Sequence, residues 1–228
     1  MSTDFAVELP ARPFAAAWLN VSRAAAEADD RPQLHRAVIV ELIDNRAVRL
    51  ISTDSYMLLR SSVRNTLPDG YFDTVEDDEA AQRSVTAIDE DHRARALLKY
   101  AWKDAKEDLS ATIILSVGSL ERDEAPTLMP SLAKLGLSIS YGAERLVLPL
   151  FDSEPLNWRP LAVGRESCPT DSVAFTPEFL ARLDGLYTCG ETTNTATFGL
   201  AGPIGAAAIS VDVVPDLSGI LMPVRVDA

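Results

Sequence analysis

Hydrophobic and polar positions along this chain pass through the same order of periods three times, each pass predicting a strand, a helix and further strands. In the first pass Phe5-Ala6-Val7-Glu8-Leu9 alternates as a half-buried strand does. Pro10 and Pro13 bracket a helix start, the alanine-rich stretch Phe14 to Glu27 is helix-forming, and Asp29-Asp30-Arg31-Pro32 ends it. Ala37 to Ile43 is a β-branched run, Asp44-Asn45 is turn-like, and Val48 to Ile51 predicts the returning strand. A polar, acidic connection follows at 68–80 and reads as a solvated loop.

The second pass opens with a strand at Ser84–Ile88 and continues with a helix over Asp91–Asp108. Strands are predicted at Thr112–Val117, Leu137–Tyr141 and Leu146–Phe151, with a proline-containing surface loop at 119–132. The third pass is shorter. Val173-Ala174-Phe175 precedes a helix over Phe179–Leu186, with Thr176 as its cap and Pro177 at its first position. Strands follow at Thr195–Leu200, Ala206–Val213 and Gly219–Val224. The chain therefore reads as an α+β protein of three β-α-β-β-β units, repeated in pattern rather than identity. Units at 1–66 and 83–163 would share one domain, 1–163; residues 164–170 would link it to a half-domain, 171–228.

Composition narrows the function classes. With 228 residues, 47% of them hydrophobic and 24% charged, the chain can bury a sizeable core. No apolar run approaches the roughly 20 residues of a membrane helix, so no membrane partner is expected. The N-terminus lacks the basic-then-apolar order of a secretion signal. Cys168 and Cys189 have neither metal-site spacing nor the density of a disulfide framework, which suits a reducing, cytoplasmic setting. His35 and His92 are the only histidines, and no glycine-rich phosphate loop, metal-ligand cluster or nucleophile elbow occurs. Neither an enzyme nor a cofactor is expected. A net charge of −13 argues against indiscriminate nucleic-acid binding, so the distribution of the cations decides.

That distribution is uneven. Projected at about 100° per residue, the Asp91–Asp108 helix gathers Ala94, Leu97, Leu98, Ala101, Trp102 and Ala105 into a core stripe. His92, Arg95, Lys99, Lys103 and Lys106 share a neighbouring sector about 80° wide, away from Asp104, Glu107 and Asp108. Such an edge is either a solvated face or a surface for DNA phosphates, where lysine and arginine bind without reading bases. Interleaved aromatics for single strands are lacking, so duplex is the expected ligand, with Arg23 and Arg182 extending the surface.

Two distant segments add a resemblance. Ser52-Thr53-Asp54-Ser55-Tyr56-Met57-Leu58-Leu59-Arg60 resembles the "ATD-x-x-R-L" strand of the bacterial DNA polymerase III β sliding clamp family, with Met57 where that family has arginine. Leu221-Met222-Pro223-Val224-Arg225 resembles its closing "MP-x-R-L". Ahead of both, Asp29 to Leu34 is similar to its "D-x-R-P-x-L", and between them Phe151 to Arg159 is similar to "l-x-D-x-x-F-P-x-Y-R". Val173 to Leu180 resembles "i-x-F-N-P-x-Y-L". The family's first domain has no counterpart. The first half of its third is missing too, because few residues separate Arg159 from Val173.

The resemblance implies a DNA-clamp (processivity) fold, with sheets outside and helices lining the central channel of a homo-oligomeric ring on double-stranded DNA. A groove lined by Leu34, Thr53, Tyr56, Leu58, Ile220, Met222, Pro223 and Val224 would bind DNA polymerase and clamp-loader peptides. Bacterial clamp subunits carry six such units and close a ring of twelve. Three units per chain would reach twelve as a tetramer, with a trimer as the alternative. The shortened form suggests a bacteriophage protein. The competing reading is a non-ring protein that captures clamp-binding peptides or caps a host clamp.

Overall fold

Strand β1 (Phe5–Pro10) runs directly into helix α1 (Ala11–Val21), and strands β2 (Ala37–Leu42), β3 (Ala47–Thr53) and β4 (Met57–Arg64) complete the first unit. The second comprises β5 (Arg83–Ile88), α2 (Arg93–Asp104), β6 (Thr112–Ser119), β7 (Leu135–Tyr141) and β8 (Glu144–Pro149). A short helix α3 (Arg159–Ala162) leads to the third unit, α4 (Pro177–Ala181), β9 (Ala196–Gly199), β10 (Ala207–Val211) and β11 (Leu217–Leu221). The computed structural model describes residues 5–25, 33–44, 46–65, 80–89, 92–119, 135–151, 156–162, 172–190, 195–202, 205–213 and 215–224. The predicted acidic connection at 68–80 lies outside the described residues except for Ala80, as do the linker at 164–170 and the predicted loop at 119–132 except for Ser119, which ends β6.

The strands form two antiparallel sheets, ordered β1-β6-β7-β8 and β5-β2-β3-β4-β11-β10-β9. The first two units exchange their first strands. β1 lies against β6, with Phe5 opposite Val117 and Pro10 opposite Thr112. β5 lies against β2, with Ala37 opposite Ile88 and Leu42 opposite Arg83. Neither unit completes its sheet alone. Helices α1 and α2 pack against each other, and one apolar core joins Phe14, Trp18, Leu98, Leu50, Leu59, Leu115 and Leu217 from all three units.

Helix bounds differ from expectation for local reasons. α1 begins at Ala11 rather than Phe14, because Pro13 falls in the first turn, where an amide has no helical acceptor to lose. It ends at Val21, and a single tighter turn, Ser22–Ala24, follows with the Ser22 hydroxyl donating to the Leu19 carbonyl at 3.1 Å. α2 begins at Arg93 because His92 is left-handed (φ 54°) and the Asp89 carboxylate accepts the Ala94 and Arg95 amides at 3.0 and 3.2 Å. Its core stripe forms as expected: Ala94, Leu98, Ala101 and Ala105 are buried, and Leu97 and Trp102 pack against them. α4 stops at Ala181, earlier than predicted, and Thr176 precedes it without a side-chain cap. The predicted strand Val173–Phe175 is reduced to one bridge, between Ala174 and Val224.

Candidate functional site

The Thr-Asp segment is a turn before it is a binding surface. The Thr53 hydroxyl donates to the Met57 carbonyl at 2.8 Å and accepts the Ser55 amide at 3.1 Å. Asp54 Oδ1 accepts the Tyr56 and Met57 amides at 3.0 and 2.9 Å. Ser55 is left-handed (φ 80°), and its hydroxyl lies 2.9 Å from His35 Nε2. These bonds join β3 to β4 and turn Tyr56 outward, 47% exposed.

β4 then pairs with β11 of the same chain, so both walls of the expected groove meet within one subunit. Leu58 lies opposite Ile220, Met57 opposite Leu221, and Leu59 opposite Gly219. Because side chains alternate along a strand, Met57, Leu59 and Leu221 face the main core while Leu58 and Ile220 face the other side. There they join Ile39, Ile51, Leu156 and Trp158 in a separate apolar cluster. Beyond β11, the Met222 amide donates to the Tyr56 carbonyl at 2.8 Å and the Val224 amide to the Ala174 carbonyl at 2.9 Å.

The expected groove residues therefore divide by exposure. Thr53 and Leu58 are buried as turn lock and floor, Ile220 and Pro223 are half-buried, and Tyr56, Met222 and Val224 reach solvent. Leu34 sits in a short turn, Gln33–Arg36, ahead of β2, and its side chain lies outside the described residues. Phe179 stacks on Tyr56 with ring centroids 5.8 Å apart, placing α4 at the end of the strip.

The floor is held by charges that the sequence reading passed over. Glu41, opposite Arg49 in the β2–β3 pair, accepts its guanidinium at 2.8 Å, with both side chains almost fully buried. The same carboxylate accepts Trp158 Nε1 at 2.8 Å and both Arg159 terminal nitrogens at 3.0 Å. Arg49, Arg60 and Arg159 all lie within 5.5 Å of the Trp158 ring centre, so the indole is clasped by cations on a carboxylate anchor. One signal was available. A single acid in Ala37–Leu42 and a single base in Ala47–Ile51 interrupt two otherwise apolar runs at opposed positions.

The basic residues divide as well. Lys99, Lys103 and Lys106 are exposed and have no ion-pair partner among the described residues, and His92 is exposed at the helix start. Lys106 lies just past α2, in the closing turn. Arg95 turns inward and donates to the Ser22 carbonyl at 3.1 Å. Arg23 donates to the carbonyls of Arg182, Asp184 and Gly185, and burial lowers its pKa from the ordinary guanidinium value, against the opposing influence of Tyr187 and Asp184. Arg182 reaches Asp54 at 2.7 Å and Glu178 at 3.0 Å and lies over Phe179, placing it beside the groove turn. Arg23 and Arg182 therefore hold the third unit on the first, whereas the sequence suggested that they extend the α2 face. Of the two long helices only α2 offers a solvent face, since every α1 residue except Arg12 is buried.

No protein-family model and no curated protein matches the chain. Solved structures do match it. One is the Helicobacter pylori β clamp in complex with 3,4-difluorobenzamide (TM-score 0.62, 9% identity, 99% of this chain and 67% of that one). A second is Caulobacter crescentus pol III beta (0.60, 13%, 99% and 68%). A third is the DNA polymerase sliding clamp from Pseudomonas aeruginosa (0.59, 9%, 97% and 67%). The chain spans about two thirds of the length of these proteins. Identities this low speak of architecture alone, and in architecture the chain has the α+β fold of the DNA polymerase sliding clamps.

Proposed function

We propose that this protein is a DNA sliding clamp, a homo-oligomeric ring on duplex DNA that tethers a polymerase and other DNA enzymes through a peptide groove. It performs no chemistry. It raises the effective concentration of its partner at the DNA, with the ring as the linker. The supporting observation is the pairing of β4 with β11, extended by the Met222 amide on the Tyr56 carbonyl, with Ile220 packed on the Trp158 cluster and Tyr56, Met222 and Val224 exposed; we read these four as one apolar strip. An extended peptide with leucine and phenylalanine anchors suits that strip, and the thioether of Met222 adapts to either anchor. Lys99, Lys103 and Lys106 are assigned to the DNA phosphates because α2 carries the exposed helix face. Four copies would supply the twelve units of a full ring.

Replacing Lys99, Lys103 and Lys106 together with alanine tests the reading. Retention on circular duplex DNA should fall while binding of a leucine- and phenylalanine-containing peptide stays unchanged. The salt dependence of DNA binding should lose about 2.7 from its log–log slope for every subunit whose three lysines each meet one phosphate. Unchanged retention removes the helix from the DNA surface, and indifference to such peptides removes the groove.

A second reading, a non-ring protein that captures clamp-binding peptides, draws on the net charge of −13 against so few exposed lysines on α2. Light scattering separates the two, since a monomer at micromolar concentration supports the second.

A further inference from the structure

The third unit has the strand order of the other two but, among the described residues, not the strand partners that complete them. In the first two units, each first strand crosses to the partner unit: β1 pairs with β6 and β5 with β2. The third unit's counterpart of β5 is the segment around Ala174. The equivalence is marked by two matching bridges, Ala87 with Leu150 and Ala174 with Val224. Its counterpart of β6 and β2 is β9, which has β10 as its only strand neighbour among the described residues. The missing half cannot lie between α3 and Ser172, because residues 163–171 are too few: the first unit alone runs from Phe5 to Arg64.

The edge of β9 away from β10, unpaired among the described residues, is a built hydrogen-bonding surface. The Asp212 amide donates to the Thr195 carbonyl at 3.0 Å, and Ala196 lies opposite Val211. Inward and outward groups alternate along an antiparallel strand, so Thr197 and Gly199 face β10, whereas Ala196 and Phe198 point their backbone groups outward. Nearby, Phe175 packs on Phe198 at 5.7 Å, and Leu180 of α4 is 40% exposed. α4 buries no residue fully, whereas α1 and α2 cover each other.

We propose that a second copy of this chain completes the third unit about a two-fold axis. The segment around Ala174 of each copy pairs with β9 of the other, and the two α4 helices face each other across the joint. The occupant follows from the repeat itself: the only completion that this chain displays for such a unit is another unit of the same kind, related by reciprocal strand exchange. A copy supplies one with complementary open edges. Copies joined this way come in pairs, so a twelve-unit ring is two such pairs rather than four copies in head-to-tail succession, and a trimer is excluded.

Native mass spectrometry of the whole chain at micromolar concentration tests the joint. The mass should be an even multiple of 24.7 kDa. Ala196→Pro removes an outward amide without touching the β9–β10 ladder, a change that edge strands tolerate, and should at least halve the assembly mass. A monomeric or odd-numbered wild type overturns the proposal, as does an even assembly indifferent to Ala196→Pro. Should that variant fail to fold by circular dichroism, cross-linking decides. With Cys168 and Cys189 replaced by alanine, the double variant Ser172→Cys/Thr197→Cys should give covalent dimers with a short bismaleimide, and monomers alone overturn the joint. The outcome is separable from the clamp reading. A DNA-retaining ring indifferent to Ala196→Pro keeps the clamp and loses the joint, and an even assembly without DNA retention does the reverse.

Discussion

Glu41 is the position where a single atom exchange should cost most. Glu41→Gln keeps the side-chain shape but removes the charge facing Arg49 at 2.8 Å, where the two side chains are 4% and 1% exposed. Breaking one side of a buried pair costs about 3–5 kcal/mol, because the remaining charge has lost both water and its counter-ion. Arg159 holds the same carboxylate but is 41% exposed, so solvent screens its contribution and Arg159→Ala should cost only about 1 kcal/mol. At a urea slope of about 2 kcal/mol/M, the Glu41→Gln midpoint falls by roughly 2 M and the Arg159→Ala midpoint by about 0.5 M. Urea unfolding followed by circular dichroism measures both. The double variant Glu41→Leu/Arg49→Met removes both charges and should recover most of the loss. A Glu41→Gln cost no larger than that of Arg159→Ala would refute the reasoning, since burial would then not govern the pair.

Gly219→Ala should separate the groove walls: a β-carbon there would lie 1.9 Å from the Leu58 carbonyl oxygen, so β11 must move off β4. The expected cost is about 1–3 kcal/mol or more, read by thermal melting, with peptide binding lost; a variant of wild-type stability would contradict it. Tyr56→Ala and Met222→Ala remove exposed groups and should leave the melting temperature nearly unchanged. Each should weaken a leucine/phenylalanine peptide by about tenfold, or about 1.4 kcal/mol, measured by fluorescence anisotropy. Burial pushes the Cys189 thiol up to about 11, slightly offset by Arg12, so in a Cys168→Ala background alkylation at pH 8 should be far slower than for a free thiol. Tyr141 is pushed up to about 12, first by desolvation and then by its hydrogen bond to Asp104. Both groups favour their protonated forms when folded. Their contribution is therefore complete below pH 9 and is lost as pH rises from about 9 to 12, which a series of thermal melts detects.

Much of this protein was legible along the chain, for a local reason. Period and side-chain chemistry state which face of a segment is buried, and that identified most of the strands, though not β4, together with the α2 core stripe and the threefold repeat of units. The Thr-Asp segment read as one strand by resemblance, and the structure breaks it into a turn between β3 and β4, closed by bonds between residues at most four apart. Only the tertiary structure decided which edges meet. Backbone amides and carbonyls are alike in every strand, so periodicity does not reveal that β1 crosses to β6 or that β4 pairs with β11. Charge followed the same division. The helical period placed Lys99 and Lys103 on an open face, but the folded topology brought carbonyls and a carboxylate within reach of Arg23 and Arg182 and drew both inward. Burial of one face is written locally, residue by residue. The partner of an edge or a long cation is set by what distant parts of the chain bring beside it.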